Sequence, residues 1–400
     1  MISSDHSKFL VGNYAQPAIE IVRGKGTKVW DSEGKEYLDF TTGIAVTNLG
    51  HSHPHWIHSV TDQANEMVHC SNLFSIPEQV RLAKRLVEKI GPGKLIFCNS
   101  GAEANEGLLK LARLVGNKQG TQPKHKIVVA DNGFHGRTLG ALSATASPKY
   151  RTGFEPLLPF FDFVPLNDIQ AFDKAIDSET SAVLVESIQG EGGIYEAEDH
   201  FLQELAAICT ARKVLLLLDE VQAGIGRTGE FLGFQKSGIL PHAVAMAKGL
   251  GGGFPIGAIW IGEQYADTFG AGSHGTTFGG SPLACSAANA VLDVIEEEDL
   301  IAKTKRKGEY LKEKLLQFIP KYPALAHEVR GRGLMLALAL KLDPSTIVQQ
   351  LRDSGLLVVG AGGYAIRFLP PLNVQEEEID HAIHIVDTIF SNFELNEVSS

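Results

Sequence analysis

Several features that would fix the class of this chain early are scarce or absent. Its 400 residues include only four cysteines. Cys70, Cys98, Cys209 and Cys285 are scattered, with no C-x-x-C pair. They read as small buried apolar side chains in a reducing compartment, not as a disulfide framework. No apolar stretch approaches the length that spans a bilayer. The start, Met1 to His6, has neither a basic n-region nor an apolar h-region, so a cytoplasmic protein is expected. Positive charge is also in deficit. The 36 basic residues against 47 acidic ones leave a net charge of −11. That argues against nucleic acid or an anionic membrane as a bulk partner, while leaving room for a local basic pocket. There is no internal repeat, no low-complexity tract, no Walker A sequence and no G-x-S-x-G elbow.

What the chain does have is hydrophobic content of 44% and charged content of 21%, ordinary for a globular protein. Two of its apolar runs each end in a charged residue. Val214 to Leu218 runs into Asp219-Glu220-Val221-Gln222, and Ala243 to Ala247 ends at Lys248, followed by Gly249-Leu250-Gly251-Gly252-Gly253. Runs of this kind read as buried strands of a parallel sheet, and the carboxyl ends of such strands are where open α/β sheets carry their chemistry. A carboxylate and a lysine at neighbouring strand ends suit pyridoxal phosphate, which needs an amine for its aldehyde and an acid for its ring nitrogen. A buried Asp–Lys ion pair would give the same pattern, so the two residues alone leave both readings open.

The chain is too long for a single core. Residues 1–60 read as an N-terminal segment of turns and short strands, with helices at roughly 54–70 and 77–90. From about 94 strand and helix alternate, the mark of a large, doubly wound, mostly parallel sheet over residues 61–305. Strands are expected near 94–98, 126–130, 182–186, 214–218, 243–247 and 257–261, and a long helix over 281–318. Residues 306–400 read as a compact α+β domain joined by the N-terminal segment. Its strands are expected over Leu334 to Leu340, 356–359 and 364–368, its helices near 344–354 and 375–393.

Four further segments could carry chemistry. Asn99 to Asn105 follows a strand and opens an amphipathic helix, which suits a phosphate at the free N–H groups; an ordinary cap by Asn99 or Ser100 reads the same way. Asn132 to Thr138 puts Phe134 and Arg137 on a glycine-flanked loop, where one could stack on a flat ring and the other fork onto a carboxylate; a core phenylalanine and a solvated arginine are the plain alternative. Glu191 sits among glycines in Glu186 to Gly193, and could approach a cationic group or be a solvated turn residue. Gly272 to Gly280 is a polar loop whose hydroxyls could bind phosphate or substrate. Two patterns are set aside. Gly224-Ile225-Gly226-Arg227-Thr228-Gly229 matches G-x-G-x-x-G, but no helix follows it directly and no acid lies about 20 residues on. His51-Ser52-His53-Pro54-His55 lacks nearby cysteines or a carboxylate cluster and reads as capping and packing; no metal is expected.

In this order the segments resemble the class III (subgroup II) aminotransferases of PLP fold type I, over essentially the whole chain. The likeness runs through Phe40 to Val46, Leu49 to Pro54, His69 to Phe74, Asn99 to Asn105, Gly133 to Thr138, Leu218 to Gln222, Ala247 to Gly253, His274 to Gly280 and Arg367 to Leu372. One departure is Ser281, where this branch commonly has asparagine. The resemblance implies that pyridoxal 5′-phosphate is bonded at Lys248, with Asp219 at the ring nitrogen and Gln222 near the phenolic oxygen. Gly101 and Ala102 would offer N–H groups to the phosphate and Phe134 would stack on the ring. Glu220 and Val221 fall among the cofactor contacts with their neighbours. It implies that Thr277 reaches the phosphate held by a second copy, hence a homodimer with shared active sites. Arg137, Thr276 and Arg367 would contact substrate, Arg367 through an α-carboxylate, and Glu191 would neutralise an arginine when a substrate lacks the matching carboxylate. The implied reaction passes the δ-amine of N-acetylornithine to 2-oxoglutarate. The alternatives are ornithine, succinylornithine, succinyldiaminopimelate or 4-aminobutyrate as donor, or an aminomutase that needs no keto acid.

Overall fold

In a computed structural model of the chain, residues 6–118 and 123–398 are described. Seven strands form the central sheet, in the spatial order Gly93–Cys98, Gly257–Gly262, Ala243–Met246, Leu215–Asp219, Thr180–Glu186, Lys126–Ala130, Phe161–Val164. Six run in one direction, and Gly257–Gly262 runs against both of its neighbours. The apolar runs of the sequence are its centre: every residue of Thr180–Glu186 and Leu215–Asp219 is buried. Helices on both faces exclude water from both sides of these strands, which is why the runs are continuously apolar instead of alternating.

Register sets where the chemistry falls. Asp219 pairs with Glu186 on one side and with Ala245 on the other. Lys248 follows three residues after Ala245, so an acid from each of two strands and the lysine of a third emerge at one end of the sheet.

Two four-stranded sheets and a two-stranded hairpin, Ile188–Gln189 with Tyr195–Glu196, complete the sheet architecture of the described residues. Ile21–Lys25, Lys28–Asp31 and Glu36–Asp39 form a meander whose last strand takes Leu356–Leu357 alongside it in parallel. Ala326–Arg332, Met335–Leu340, Ala365–Phe368 and Val359–Ala361 form an antiparallel sheet in which Met335–Leu340 is buried throughout. The N-terminal segment is thus stitched to the C-terminal one by backbone hydrogen bonds. No helix among the described residues is long and apolar enough to cross a membrane.

Two expectations are corrected here. The stretch 281–318 is not one helix but two, Pro282–Glu297 and Leu300–Leu316, with Asp299 between them at φ 50°. Four successive acids, Glu296 to Asp299, sit badly at the negative end of a helix dipole, and aspartate tolerates the left-handed conformation that turns the chain. Phe161–Val164 adds an edge strand that the six expected strands did not include. Ser281, the departure noted above, caps the first of the two helices by accepting from the Ala284 N–H at 3.4 Å.

The second helix packs against the turn at Gly333 so closely that a Cβ on Gly308 would overlap the Gly333 backbone. Alanine in an open helix interior is better than glycine by about 1 kcal/mol. Here the sign should reverse: Gly308→Ala is expected to lower stability by about 1–3 kcal/mol, read as a lower urea midpoint at unchanged slope. A raised midpoint would mean the two backbones are not in contact.

Candidate active site

Lys248 occupies the first position of a tight turn, Lys248–Leu250, at φ 45°. Side chains other than glycine enter this left-handed region rarely, and such strain gathers at functional sites. The turn is closed by the Leu250 N–H on Ala247 O at 2.9 Å and the Gly251 N–H on Lys248 O at 3.2 Å. The lysine lines a cavity of about 570 Å³ together with Gly101, Ala102, Phe134, Arg137, Glu186, Glu191, Asp219, Val221 and Gln222. Its Nζ takes no hydrogen bond or ion pair among the described residues. Burial pulls its pKa down to about 8; the positive charge of Arg367 acts in the same direction, against the acids Glu191, Asp219 and Glu186.

Asp219 is firmly held. Its Oδ2 accepts from Asn105 Nδ2 at 2.7 Å and from His135 Nδ1 at 2.8 Å, and its Oδ1 accepts from the Val221 N–H at 3.0 Å. Asn105 also donates to the His135 carbonyl at 2.7 Å, so the carboxylate and the imidazole are locked together. Burial works to keep His135 neutral, but the hydrogen bond to Asp219 and the charges of Asp219 and Glu186 outweigh it and raise its pKa. Its Nε2 is buried with no partner. Glu186 accepts from the Phe134 N–H and the Gly190 N–H, each at 3.0 Å. Burial, reinforced by the nearby charge of Asp219, pushes its carboxyl up to about 7.

The opposite wall begins at the helix Gly101–Lys118. The N–H groups of a first helical turn have no carbonyl behind them and carry the positive end of the dipole. Gly101 stands against Val221, where a Cβ would come within 2.6 Å of Val221 Cγ1; only a residue without a side chain lets this turn approach the strand end. The fit to pyridoxal phosphate is therefore good. An unpartnered buried amine, a fixed carboxylate, a flat aromatic and a bare helix start face one cavity.

Arg367 comes from the C-terminal sheet and is 1% exposed. Its Nη1 contacts Glu191 Oε1 at 2.7 Å, Gln222 Oε1 at 2.7 Å and Gly190 O at 3.1 Å, while its Nε is left without a partner. Gln222 Nε2 donates to Glu191 at 3.4 Å. Burial would raise the Glu191 pKa, but the charge and hydrogen bond of Arg367 hold it below the usual range.

Of the residues singled out from the sequence, Lys248, Asp219, Gly101, Ala102, Phe134, Val221, Gln222, Arg137 and Glu191 line this cavity, and Arg367 stands behind Glu191 and Gln222. Glu220 does not join them. Its carboxylate turns into the core and accepts from Gly233 N–H at 2.7 Å and Phe234 N–H at 3.1 Å. Neighbouring side chains of an extended strand point to opposite faces, so an inward Asp219 requires an outward Glu220. Thr276 and Thr277 lie outside the cavity lining; Thr276 Oγ1 accepts from Asn99 Nδ2 at 3.0 Å, and Thr277 is exposed. Sequence reasoning passed over three residues that the site depends on: Asn105, His135 and Glu186. Glu186 was legible as the acid that ends a strand, as Asp219 does; the His135–Asp219 contact, across 84 positions, was not. Arg227 of the set-aside glycine pattern is buried, donating to Leu334 O at 3.1 Å and to Pro370 O. The histidines 51, 53 and 55 pair singly with Asp39, Glu298 and Asp293.

A family model, aminotransferase class-III, matches residues 11–390. The chain is 46% identical over 385 residues to a protein named acetylornithine aminotransferase from Caldanaerobacter subterraneus, covering 96% of this chain and 98% of that one. It is 46% identical over 382 residues to the protein of that name from Aquifex aeolicus, covering 95% and 99%. Among solved structures, ornithine aminotransferase from Toxoplasma gondii superposes with a TM-score of 0.93 at 32% identity, over 98% of this chain and 94% of that one. Acetylornithine aminotransferase from Elizabethkingia anophelis does so at 0.85 and 31%, over 97% of each.

Burial pushes Glu220 from an ordinary 4.5 up to about 7, against the hydrogen bonds from the backbone. The folded chain then holds this proton more tightly than the unfolded one, so stability falls as pH rises between about 4.5 and about 7. Glu186 adds a decline in the same window. Glu220→Gln should flatten the fall by on the order of 1–3 kcal/mol, whatever its absolute stability. Urea midpoints at pH 5 and pH 7.5 test this; an unchanged slope would show that Glu220 is ionised throughout.

Proposed function

Since this chain belongs to the class-III aminotransferase family, we propose that it is a pyridoxal 5′-phosphate enzyme that passes the δ-amine of N-acetylornithine to 2-oxoglutarate, giving N-acetylglutamate 5-semialdehyde and glutamate. Two relatives of that name, each 46% identical over nearly the whole chain, support the donor. The observation that carries the reading is the ion pair between Glu191, on the wall of a cavity that also holds an unpartnered lysine, and the buried Arg367 behind it. One site has to receive a donor amine and then a dicarboxylate. A guanidinium that an internal carboxylate can cover or release suits both.

Pyridoxal phosphate supplies an aldehyde and an electron-withdrawing cationic ring that makes the carbon bearing the amine acidic. The chain's own residues do the rest. Lys248, with its pKa lowered to about 8 by burial, has a substantial neutral fraction near neutral pH. Its Nζ can therefore act as nucleophile and afterwards take and return the proton at the substrate carbon. Asp219, fixed by Asn105, His135 and the Val221 N–H, would pair with the ring nitrogen and favour its protonated form. Gly101 and Ala102 would offer first-turn N–H groups to the phosphate, Phe134 would stack on the ring, and Gln222 would lie near its phenolic oxygen. Arg137 takes a substrate carboxylate and Thr276 adds a substrate contact. With the donor bound, Glu191 covers Arg367. With 2-oxoglutarate bound, an α-carboxylate takes the place of Glu191.

The substrate assignment is tested by a panel of N-acetylornithine, ornithine, succinylornithine, succinyldiaminopimelate and 4-aminobutyrate with 2-oxoglutarate. N-acetylornithine should give the highest kcat/KM, and turnover should cease without the keto acid. Ornithine is the informative competitor, given the likeness to an ornithine aminotransferase structure. A preference for it would overturn the donor, and turnover without a keto acid would point to an aminomutase. Lys248→Ala should lose the bound chromophore and at least about 10³-fold in kcat.

Two copies would share their sites through the exposed surface around Thr277. Leu73 is 86% exposed, Phe74 67% and Phe278 63%, and Asn72 ties this segment to the glycine loop by donating to Gly279 O at 2.9 Å. Apolar groups gathered on a surface mark an interaction face. In this reading Thr277 reaches the phosphate bound by the second copy. Phe278→Glu is expected to yield monomers by light scattering, with cofactor affinity reduced about tenfold or more. Dimers with full activity would remove this face from the interface.

A further inference from the structure

Arg137 is unusual among the cations of the site. Arg367 is engaged by Glu191, Gln222 and Gly190, whereas the Arg137 guanidinium makes no hydrogen bond or ion pair among the described residues. What touches it is aromatic. Its central carbon lies 4.1 Å from the centre of the Tyr150 ring and 5.6 Å from that of Phe134. The two rings meet edge to face, with centroids 5.4 Å apart and planes at 77°. Stacking uses the flat face of a guanidinium and leaves its N–H edges free. An ion pair would occupy those edges.

Tyr150 is itself held. It lies in the short helix Pro148–Arg151, with its N–H on Ser147 O at 3.1 Å, and its ring is braced by Phe134, whose N–H is fixed by Glu186 at 3.0 Å. Its hydroxyl makes no hydrogen bond among the described residues, and Tyr150 is not part of the cavity lining. The ring face therefore touches Arg137 without touching the space where a substrate would sit.

We infer that Tyr150 is a positioning residue: its ring face holds the otherwise unpaired Arg137 guanidinium with its N–H edges toward the cavity, so that a substrate carboxylate meets a pre-set fork. A long side chain free at a cavity mouth would have to be immobilised at each binding event, and orienting it beforehand removes that loss. The inference rests on the reading of Arg137 as a carboxylate contact and adds what makes that contact selective.

The test uses the holoenzyme and two donors, N-acetylornithine and N-acetyl-1,4-diaminobutane, which has the same amine and acyl ends but no carboxylate. Tyr150→Leu should raise KM for N-acetylornithine about tenfold, change kcat less than about threefold, and leave kcat/KM for the carboxylate-free donor within about twofold. Tyr150→Phe, which keeps the ring face, should restore KM to within about twofold of the parent. The bound-cofactor absorbance should be unchanged in both. An unchanged KM in Tyr150→Leu, or an equal loss for both donors, would overturn the inference, as would a Tyr150→Phe variant as impaired as Tyr150→Leu. Arg137→Ala separates the two levels. If it leaves KM for N-acetylornithine unaltered, the role of Arg137 fails first and that of Tyr150 with it. If it raises KM while Tyr150→Leu does not, the fault lies with Tyr150 alone.

Discussion

A primary amine taken out of water resists its own charge, and every other element of this site is arranged around that resistance at Lys248. Leucine, valine and alanine fill the strands beneath it, so solvent cannot stabilise an ammonium ion there. Three carboxylates nearby offset part of the penalty, and Arg367 restores some of it. The balance leaves the group near 8. A more polar strand end would return the lysine to its solution behaviour and leave it a poor nucleophile and base. The left-handed turn at the same residue points the same way: the chain accepts an uncommon backbone conformation to aim this one side chain. Neither feature stabilises the fold, and both fit the proposed role of this amine toward an aldehyde.

The central sheet converts that requirement into geometry. Hydrogen-bond register, not side-chain choice, brings Asp219 beside Glu186 and three residues before Lys248 in the ladder. Asp219 is then fixed by groups from two other connections, the helix that carries Asn105 and the loop that carries His135. Preorganisation of this kind costs nothing at the moment of reaction, because the dipoles are already in place. The C-terminal sheet places Arg367 behind two lining residues, Glu191 and Gln222, and the N-terminal meander takes Leu356 and Leu357 of the C-terminal segment as its fourth strand. The sheet at the core builds the lysine and its acid, and the C-terminal sheet sets a cation behind the cavity wall.

Much of this was legible before any coordinates. Apolar runs of four or five residues that end in a charge locate strand ends, and a glycine or small residue after a strand locates a place where a helix start can approach a ligand. What was not legible depends on direction or distance. Strand polarity is not written in composition, so Gly257–Gly262 reads like its parallel neighbours. The break at Asp299 is hidden because the apolar pattern continues on both sides of it. Glu220 was grouped with its neighbours although strand alternation alone turns it away from the cavity, a deduction that was available from the residues. Thr277 is exposed and outside the cavity, so the role expected for it from the sequence depends on the proposed second copy.

Under the proposed function, the Glu191–Arg367 pair would serve two unlike substrates through a mobile anion instead of a permanently open arginine. A guanidinium as buried as Arg367 without a counter-charge would be costly, since removing one member of a buried pair typically destabilises by about 3–5 kcal/mol. Arg227, the other fully buried arginine, is held by backbone carbonyls and has a lowered pKa of about 9, which illustrates the strain of that solution. Arg367 instead has an anion beside it, since that arginine holds the Glu191 pKa below the usual range. A substrate carboxylate that displaces Glu191 exchanges one anion for another, so the charge beside Arg367 is conserved across the exchange. The displaced carboxylate needs only to reach more polar surroundings, and at 22% side-chain exposure Glu191 has a route toward water. In the proposed function, specificity for a second carboxylate would come from substitution within a charge pair, with no uncompensated cation at any stage.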